Sequence, residues 1–191
     1  MPVSRHTPPL TVEHIENMEA RGHLCEIVHG QWVEATEEKM AGELHGAIAT
    51  NLIMALGSYV KAHRLGRVYP ADTTYILEED QDGIQLMRLP DVSFVAADRL
   101  KTHDRETYYH LAPDLAIEII SPSERAVTMR AKLKDYLRTG VRQVWQVYPD
   151  TQEVVVYLPD GAVYTYTPGQ MISGGDVLPG LLLPVTEIFA V

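Results

Sequence analysis

Apolar residues recur every four positions through residues 39–64, at Met40, Leu44, Ile48, Leu52, Leu56 and Val60, with Ile53 and Tyr59 widening the stripe. That spacing keeps them on one helical face, so the segment reads as a long amphipathic helix ended by Gly66. Two further stretches carry helix signals. TVEHIENMEA takes Thr11 as its N-cap and Gly22 as its stop. SPSERAVTMRAKLKDYLRTGV has an apolar stripe at Met129, Leu133 and Tyr136. Ser121 or Ser123 can cap it, Pro122 suits its first turn and Gly140 closes it.

Elsewhere the runs are short and β-like. HLCEIVHGQWVEA reads as a hairpin centred on His29-Gly30. RVYP, TTYIL, IQLM, DVSFVA and DLAIEII follow as strands, with a turn at EEDQDG and a polar loop at 98–111. VRQVWQVY, EVVVYL and AVYTYT are strands parted by PDTQ and PDG turns, and the tail LPGLLLPVTEIFAV is apolar enough to pack back onto the sheet. No repeat or linker interrupts the order. The expectation is a flexible, Pro-rich start over 1–10 and a single α/β domain over 11–191.

Composition narrows the classes. A chain of 191 residues can bury a core without staples, and Cys25, its only cysteine, excludes an internal disulfide and a cysteine-based zinc cluster. MPVSRHTPPL has no apolar segment behind its charges, and no run approaches the roughly 18 apolar residues of a membrane span. A cytoplasmic protein without a membrane partner is expected. The net charge of −10 argues against tight, non-specific binding of long duplexes unless clustering supplies a basic face. The same charge suits a site that gathers carboxylates around a divalent cation.

Glu118 carries the most information. It sits inside Leu115-Ala116-Ile117-Glu118-Ile119-Ile120, a run that reads as a strand buried on both faces. An ionised carboxylate there is costly unless it is paired or metal-bound. Asp91 opens DVSFVA after Pro90, and alternation puts it with Ser93 on the polar face. If the two strands are antiparallel neighbours, facing residues lie about 4.5–5.5 Å apart at Cβ, so two carboxylates there invite a bridging cation. Hard oxygen ligands without a Cys or His cluster favour Mg²⁺ or Mn²⁺ over Zn²⁺. Asp114 shares the face of Glu118 but lies roughly 13 Å along the strand, too far for the same ion, and is read as structural. Lys132, in the helix after the Glu118 strand, sits beside the apolar stripe. It can reach the sheet end and stabilise charge developing on a phosphodiester. The plain alternative is a solvated helix lysine, and Lys134 competes for the role.

These residues resemble a known family. CEIVHGQWVEA, His45, PDVSFVAADRL, APDLAIEIISPS, KLKDYLRTGVRQVWQVYPD and GDVLPGLLLPVTEIF stand in the order found in the bacterial Uma-two family of restriction-endonuclease-like proteins, a branch of the PD-(D/E)xK nucleases. The likeness spans residues 11–190. It implies a central mixed sheet flanked by helices, with Asp91, Glu118 and Lys132 as catalytic residues. Glu26 and His45 would support them. Asp91, Glu118 and the Ile119 backbone carbonyl would hold Mg²⁺ or Mn²⁺. The lysine usual two residues after the glutamate is replaced by Ile120, and its role passes to Lys132 in the next helix. Two positions depart from the family pattern: Thr128 and Tyr148 stand where an aspartate is common. The function implied is metal-dependent endonuclease cleavage of phosphodiester bonds, with nucleic acid, DNA before RNA, as partner and a homodimer as an option. The alternatives are a nuclease-fold binding or regulatory module with a decayed site, and a protein in which Glu118 is only half of a buried ion pair.

Overall fold

The structure, a computed structural model, describes residues 9–22, 25–34, 42–102, 108–122 and 124–190. The expected helix start at 39–41, residues 103–107 of the loop 98–111, the Ser123 cap and residues 1–8 of the Pro-rich start lie outside the described residues; the loop's described part includes a 3-10 turn at Arg99–Thr102.

One sheet has four antiparallel strands. It follows α1 (Val12–Glu19) and contains the hairpin β1 (Cys25–Val28) and β2 (Gln31–Glu34), then β5 (Gly83–Arg88) and β4 (Tyr75–Asp80), in the order β2-β1-β5-β4. His29 and Gly30 both have positive φ, 53° and 66°, the left-handed pair that a two-residue hairpin turn with matching twist requires. The register Ile27↔Met87 joins segments sixty residues apart.

The second sheet has six strands in the order β10-β9-β8-β7-β6-β3, with β3 (Gly66–Pro70), β6 (Val92–Ala96), β7 (Leu115–Ile119), β8 (Gln143–Tyr148), β9 (Glu153–Tyr157) and β10 (Val163–Tyr166). It is mixed: β7 and β8 are parallel and every other pair is antiparallel. A parallel pair needs a crossover, and α3 (Ala126–Arg138) supplies it. β7 is buried along its whole length, as its apolar run implies.

One face of this sheet is covered by α2 (Glu43–His63) and by the C-terminal segment with β11 (Met171–Ser173), β12 (Leu182–Pro184) and α4 (Val185–Ile188). Ile48, Leu52, Leu56 and Val60 of α2 enter that core with Phe94, Ile117, Trp145, Leu178 and Leu183, whereas Leu44 stays outside it. The tail does return to the sheet, and Asn51 ties it down by donating to the carbonyls of Ile188 and Ala190. The other face meets α3, through Tyr136 and Val144, and the four-stranded sheet, through Tyr75 and Val95. No helix among the described residues is long and apolar enough to cross a membrane.

Two helix ends differ from expectation. Arg64, not Gly66, ends α2, taking a left-handed conformation at φ 56° while the Leu65 N–H donates to the Val60 carbonyl. Gly66 is instead the first residue of β3, where a Cβ would overlap the Val95 carbonyl of β6. Gly66→Ala should therefore push two paired strands apart and destabilise by on the order of 3 kcal/mol, read as a lower urea midpoint. An unchanged midpoint would show that the strand pair yields freely there. α3 starts at Ala126 with Arg125 at its N-cap rather than at Ser121. The Ile120 N–H still bonds to Val147 beside it, and the Glu124 N–H closes a turn onto Ser121, so the chain must turn once before the helix begins.

Candidate functional site

Antiparallel pairing of β6 and β7 runs Phe94↔Leu115, Ser93↔Ala116 and Val92↔Ile117. Extended by one pair, this register sets Asp91 opposite Glu118 at the open end of the ladder. The Asp91 carboxylate turns back onto the neighbouring strand, where the Ile119 N–H donates to its Oδ2 at 2.7 Å. From the opposite face of the sheet, His45 in the first turns of α2 brings its Nε2 to 3.3 Å from the same oxygen. That hydrogen bond raises the His45 pKa above its ordinary value despite partial burial, and the charges of Asp91 and Glu118 add to the effect.

Glu118 is 5% exposed and both its oxygens are engaged. Lys132 Nζ donates to Oε2 at 2.9 Å, and the Tyr136 hydroxyl donates to Oε1 at 2.6 Å. Both donors come from α3, one turn apart, so a single helix face grips the carboxylate. Each oxygen keeps a second lone pair.

Lys132 is a buried cation, also 5% exposed, and the solvated-lysine alternative does not hold for it. Lys134, its competitor in sequence, is exposed. Burial alone would lower the Lys132 pKa. Glu118 and Glu26, with the hydrogen bond to Glu118, outweigh that and leave it raised. The ammonium is thus a fixed positive charge, 3.7 Å from Glu26 Oε1 and 3.8 Å from Glu124 Oε1. Burial pushes the Tyr136 hydroxyl pKa well up as well, so it acts as a donor.

Glu26 comes from β1. The Ile27↔Met87 register sets it opposite Arg88 at the end of β5, and Arg88 Nη1 donates to its Oε2 at 2.6 Å. Arg88 Nη2 reaches across to Asp135 of α3. Arg88 is 3% exposed, and its Nε has no hydrogen-bond partner among the described residues. Hence the five side chains expected from the sequence, Asp91, Glu118, Lys132, Glu26 and His45, meet at one junction of two sheets and two helices. Arg88, Asp135, Glu124 and Tyr136 were not anticipated. Arg88 ends the run IQLMR, and nothing local says that a strand-terminal arginine will be roofed by a helix.

Asp114, read as structural, serves the sheet: it accepts from the Ala96 N–H at 2.8 Å and pairs with Arg99 and Arg142. Of the two departures, Thr128 is half-buried on α3. Tyr148 donates its hydroxyl to Gln146 Oε1 at 2.9 Å, and Gln146 is the β8 partner of Glu118. Burial, with Tyr157 nearby, pushes the Tyr148 pKa up to about 12.

The donor set suits a hard divalent cation that keeps much of its water. No three His, Cys, Asp or Glu side chains among the described residues form a ready cage. Two carboxylates, a backbone carbonyl and solvent make the partial coordination typical of Mg²⁺, which is rarely enclosed by protein alone. Three carboxylates lie within 3.8 Å of the Lys132 ammonium, and with Arg88 as the second cation on Glu26 negative charge still exceeds positive there, an excess that a cation would relieve.

Comparison with known proteins agrees with this architecture. The model of the Uma2 family, described as "Putative restriction endonuclease", matches residues 12–186. Among solved structures, the chain is similar to a "putative nuclease belonging to DUF820" from Anabaena variabilis ATCC 29413. The two share 21% identity and a TM-score of 0.76, over 95% of this chain and 98% of the other. At that identity the likeness speaks for the fold. No curated protein matches the chain.

Proposed function

Since the chain belongs to the Uma2 family of restriction-endonuclease-like proteins, we propose that it is a metal-dependent endonuclease that hydrolyses phosphodiester bonds of DNA at the Asp91–Glu118–Lys132 junction. The observation that carries this reading is the pairing of two carboxylates at the open end of an antiparallel ladder, with a buried ammonium 2.9 Å from one of them. Mg²⁺ or Mn²⁺ held by Asp91, Glu118 and the Ile119 carbonyl would supply Lewis acidity towards a phosphate oxygen and a water acidic enough to attack at neutral pH.

The remaining work falls to the side chains. Lys132, held protonated, cannot act as a base; its charge stabilises negative charge building on the phosphate and orients the attacking water. Tyr136 and Lys132 together fix the rotamer of Glu118. His45 and the Ile119 N–H fix that of Asp91. Glu26 holds Lys132 from the far side while its own charge is met by Arg88.

Glu118→Gln tests this with little change of volume, since the Tyr136 hydroxyl can turn to accept from the new amide. Wild type should gain thermal stability on titration with Mg²⁺ or Mn²⁺ and should nick supercoiled plasmid; the variant should do neither. A second reading, a nuclease fold with a decayed site, draws on the engagement of both Glu118 oxygens by protein donors. It requires the opposite outcome: no response of wild type to metal, and no cleavage by either protein.

A further inference from the structure

In a chain of net charge −10, cations without acid partners stand out. A groove of about 670 Å³ opens beyond the C-terminal end of α2, floored in part by Ile53, Val68 and Leu100 and rimmed by Lys61, Arg64 and Arg67. All three cations are exposed, and none pairs with a carboxylate among the described residues. Nearby Arg99, by contrast, is engaged with Asp114. The negative end of the α2 dipole accounts for basic residues at Lys61 and Arg64. It does not account for Arg67, which belongs to β3, nor for arginine at a left-handed position, φ 56°, where glycine or asparagine is favoured.

We propose that this groove grips the phosphate backbone of the DNA substrate at a point several base steps from the reacting phosphate. The inference rests on the nuclease reading for its substrate class. Its geometry comes from the helix and the sheet. From His45 at the site to Lys61 at the groove, α2 advances sixteen residues, roughly 24 Å at 1.5 Å each. Along the sheet, Arg67 pairs with Val95, four residues from Asp91, or roughly 14 Å. At 3.4 Å per step of one strand, those spans correspond to about four to seven base steps. The groove therefore meets a phosphate other than the one cleaved. The stretch of α2 between Glu43 and Lys61 carries no acidic residue and so sets no acidic barrier between the two points.

The test is binding, measured apart from cleavage. A fluorescently labelled DNA duplex of about 30 base pairs is titrated with the full chain, without divalent cations, at several salt concentrations. The triple variant Lys61→Gln, Arg64→Gln, Arg67→Gln should bind about tenfold more weakly at low salt. The slope of log affinity against log salt should become shallower by about 2.7, or 0.9 for each phosphate no longer neutralised. The charge-keeping variant Lys61→Arg, Arg64→Lys, Arg67→Lys should retain the wild-type slope, which excludes a simple loss of fold. Equal slopes for wild type and the neutral triple variant would overturn the proposal, as would failure of wild type to bind the duplex. A wild type that binds with the steep slope yet never cuts would uphold the groove while overturning the nuclease reading.

Discussion

Lys132→Met is expected to lower the cleavage rate by about two to three orders of magnitude and stability by about 3–5 kcal/mol. Both effects come from one ammonium. Its removal takes away the cation that donates to Glu118 and leaves Glu118, Glu26 and Glu124 facing one another in a buried setting. A methionine fills the volume but offers no donor. For a domain of this size each kcal/mol moves the melting temperature by about 2–4 °C, so a drop of about 6–20 °C is expected. Rates should be compared well below the variant's transition, so that unfolding does not masquerade as impaired catalysis. Lys132→Arg separates the two effects: it keeps the charge and much of the stability, but a planar guanidinium cannot occupy the point position of the ammonium. If Lys132→Met cut DNA at the wild-type rate, the assignment of that residue would fail even were the protein destabilised as expected.

Arg88→Met carries the second large expectation, on stability first. Arg88 joins Glu26 of the small sheet to Asp135 of α3, and its loss takes a buried cation from two carboxylates that are 6% and 8% exposed, leaving Lys132 at 3.7 Å from Glu26 and Arg138 at 3.1 Å from Asp135. Breaking buried pairs in this way costs about 3–5 kcal/mol, because the remaining, more distant or more exposed cations match the two charges less completely. Arg88 does not touch Glu118, so its effect on cleavage passes through Glu26 and Lys132. A fall of about 10–100-fold is expected, the range for residues that orient a reactive group. The double variant Arg88→Met, Asp135→Leu should recover part of the stability, since one of the two under-matched buried carboxylates has been removed. Unfolding by heat and by urea measures both, and a single variant as stable as wild type would refute this account of the junction.

How much of this was legible in the sequence depends on the range of the interaction. The α2 stripe, the hairpin at His29-Gly30 and the strands flanking Asp91 and Glu118 follow from local periodicity, and the structure has them where the pattern puts them. Antiparallel pairing of two strands close in sequence was enough to bring Asp91 opposite Glu118. The apolar stripe of α3 marks only part of its buried face, with Tyr136 in the core and Leu133 packed against it. That stripe points to Met129, Leu133 and Tyr136, yet the buried positions are Lys132, Asp135 and Tyr136. A helix that packs over a charged centre buries polar residues, so hydrophobic spacing marks a face rotated from the one that matters. Arg88 and Glu26 were invisible as a pair because their meeting depends on strand pairing across sixty residues. Glu26 was named only through the family resemblance. The division of β1 to β10 between the two larger sheets has the same non-local origin.

The ties that build the junction are long in sequence: Arg88 reaches Glu26 across 62 residues and Asp135 across 47. Such ties form only after distant segments have already been brought together, so their entropic cost falls late in folding and slows it. Activity should accordingly lag behind secondary structure when the chain refolds, returning only when the small sheet docks against α3. A partly folded chain emerging from synthesis would then lack the assembled junction, and any nucleic acid would meet the proposed centre only in the finished protein.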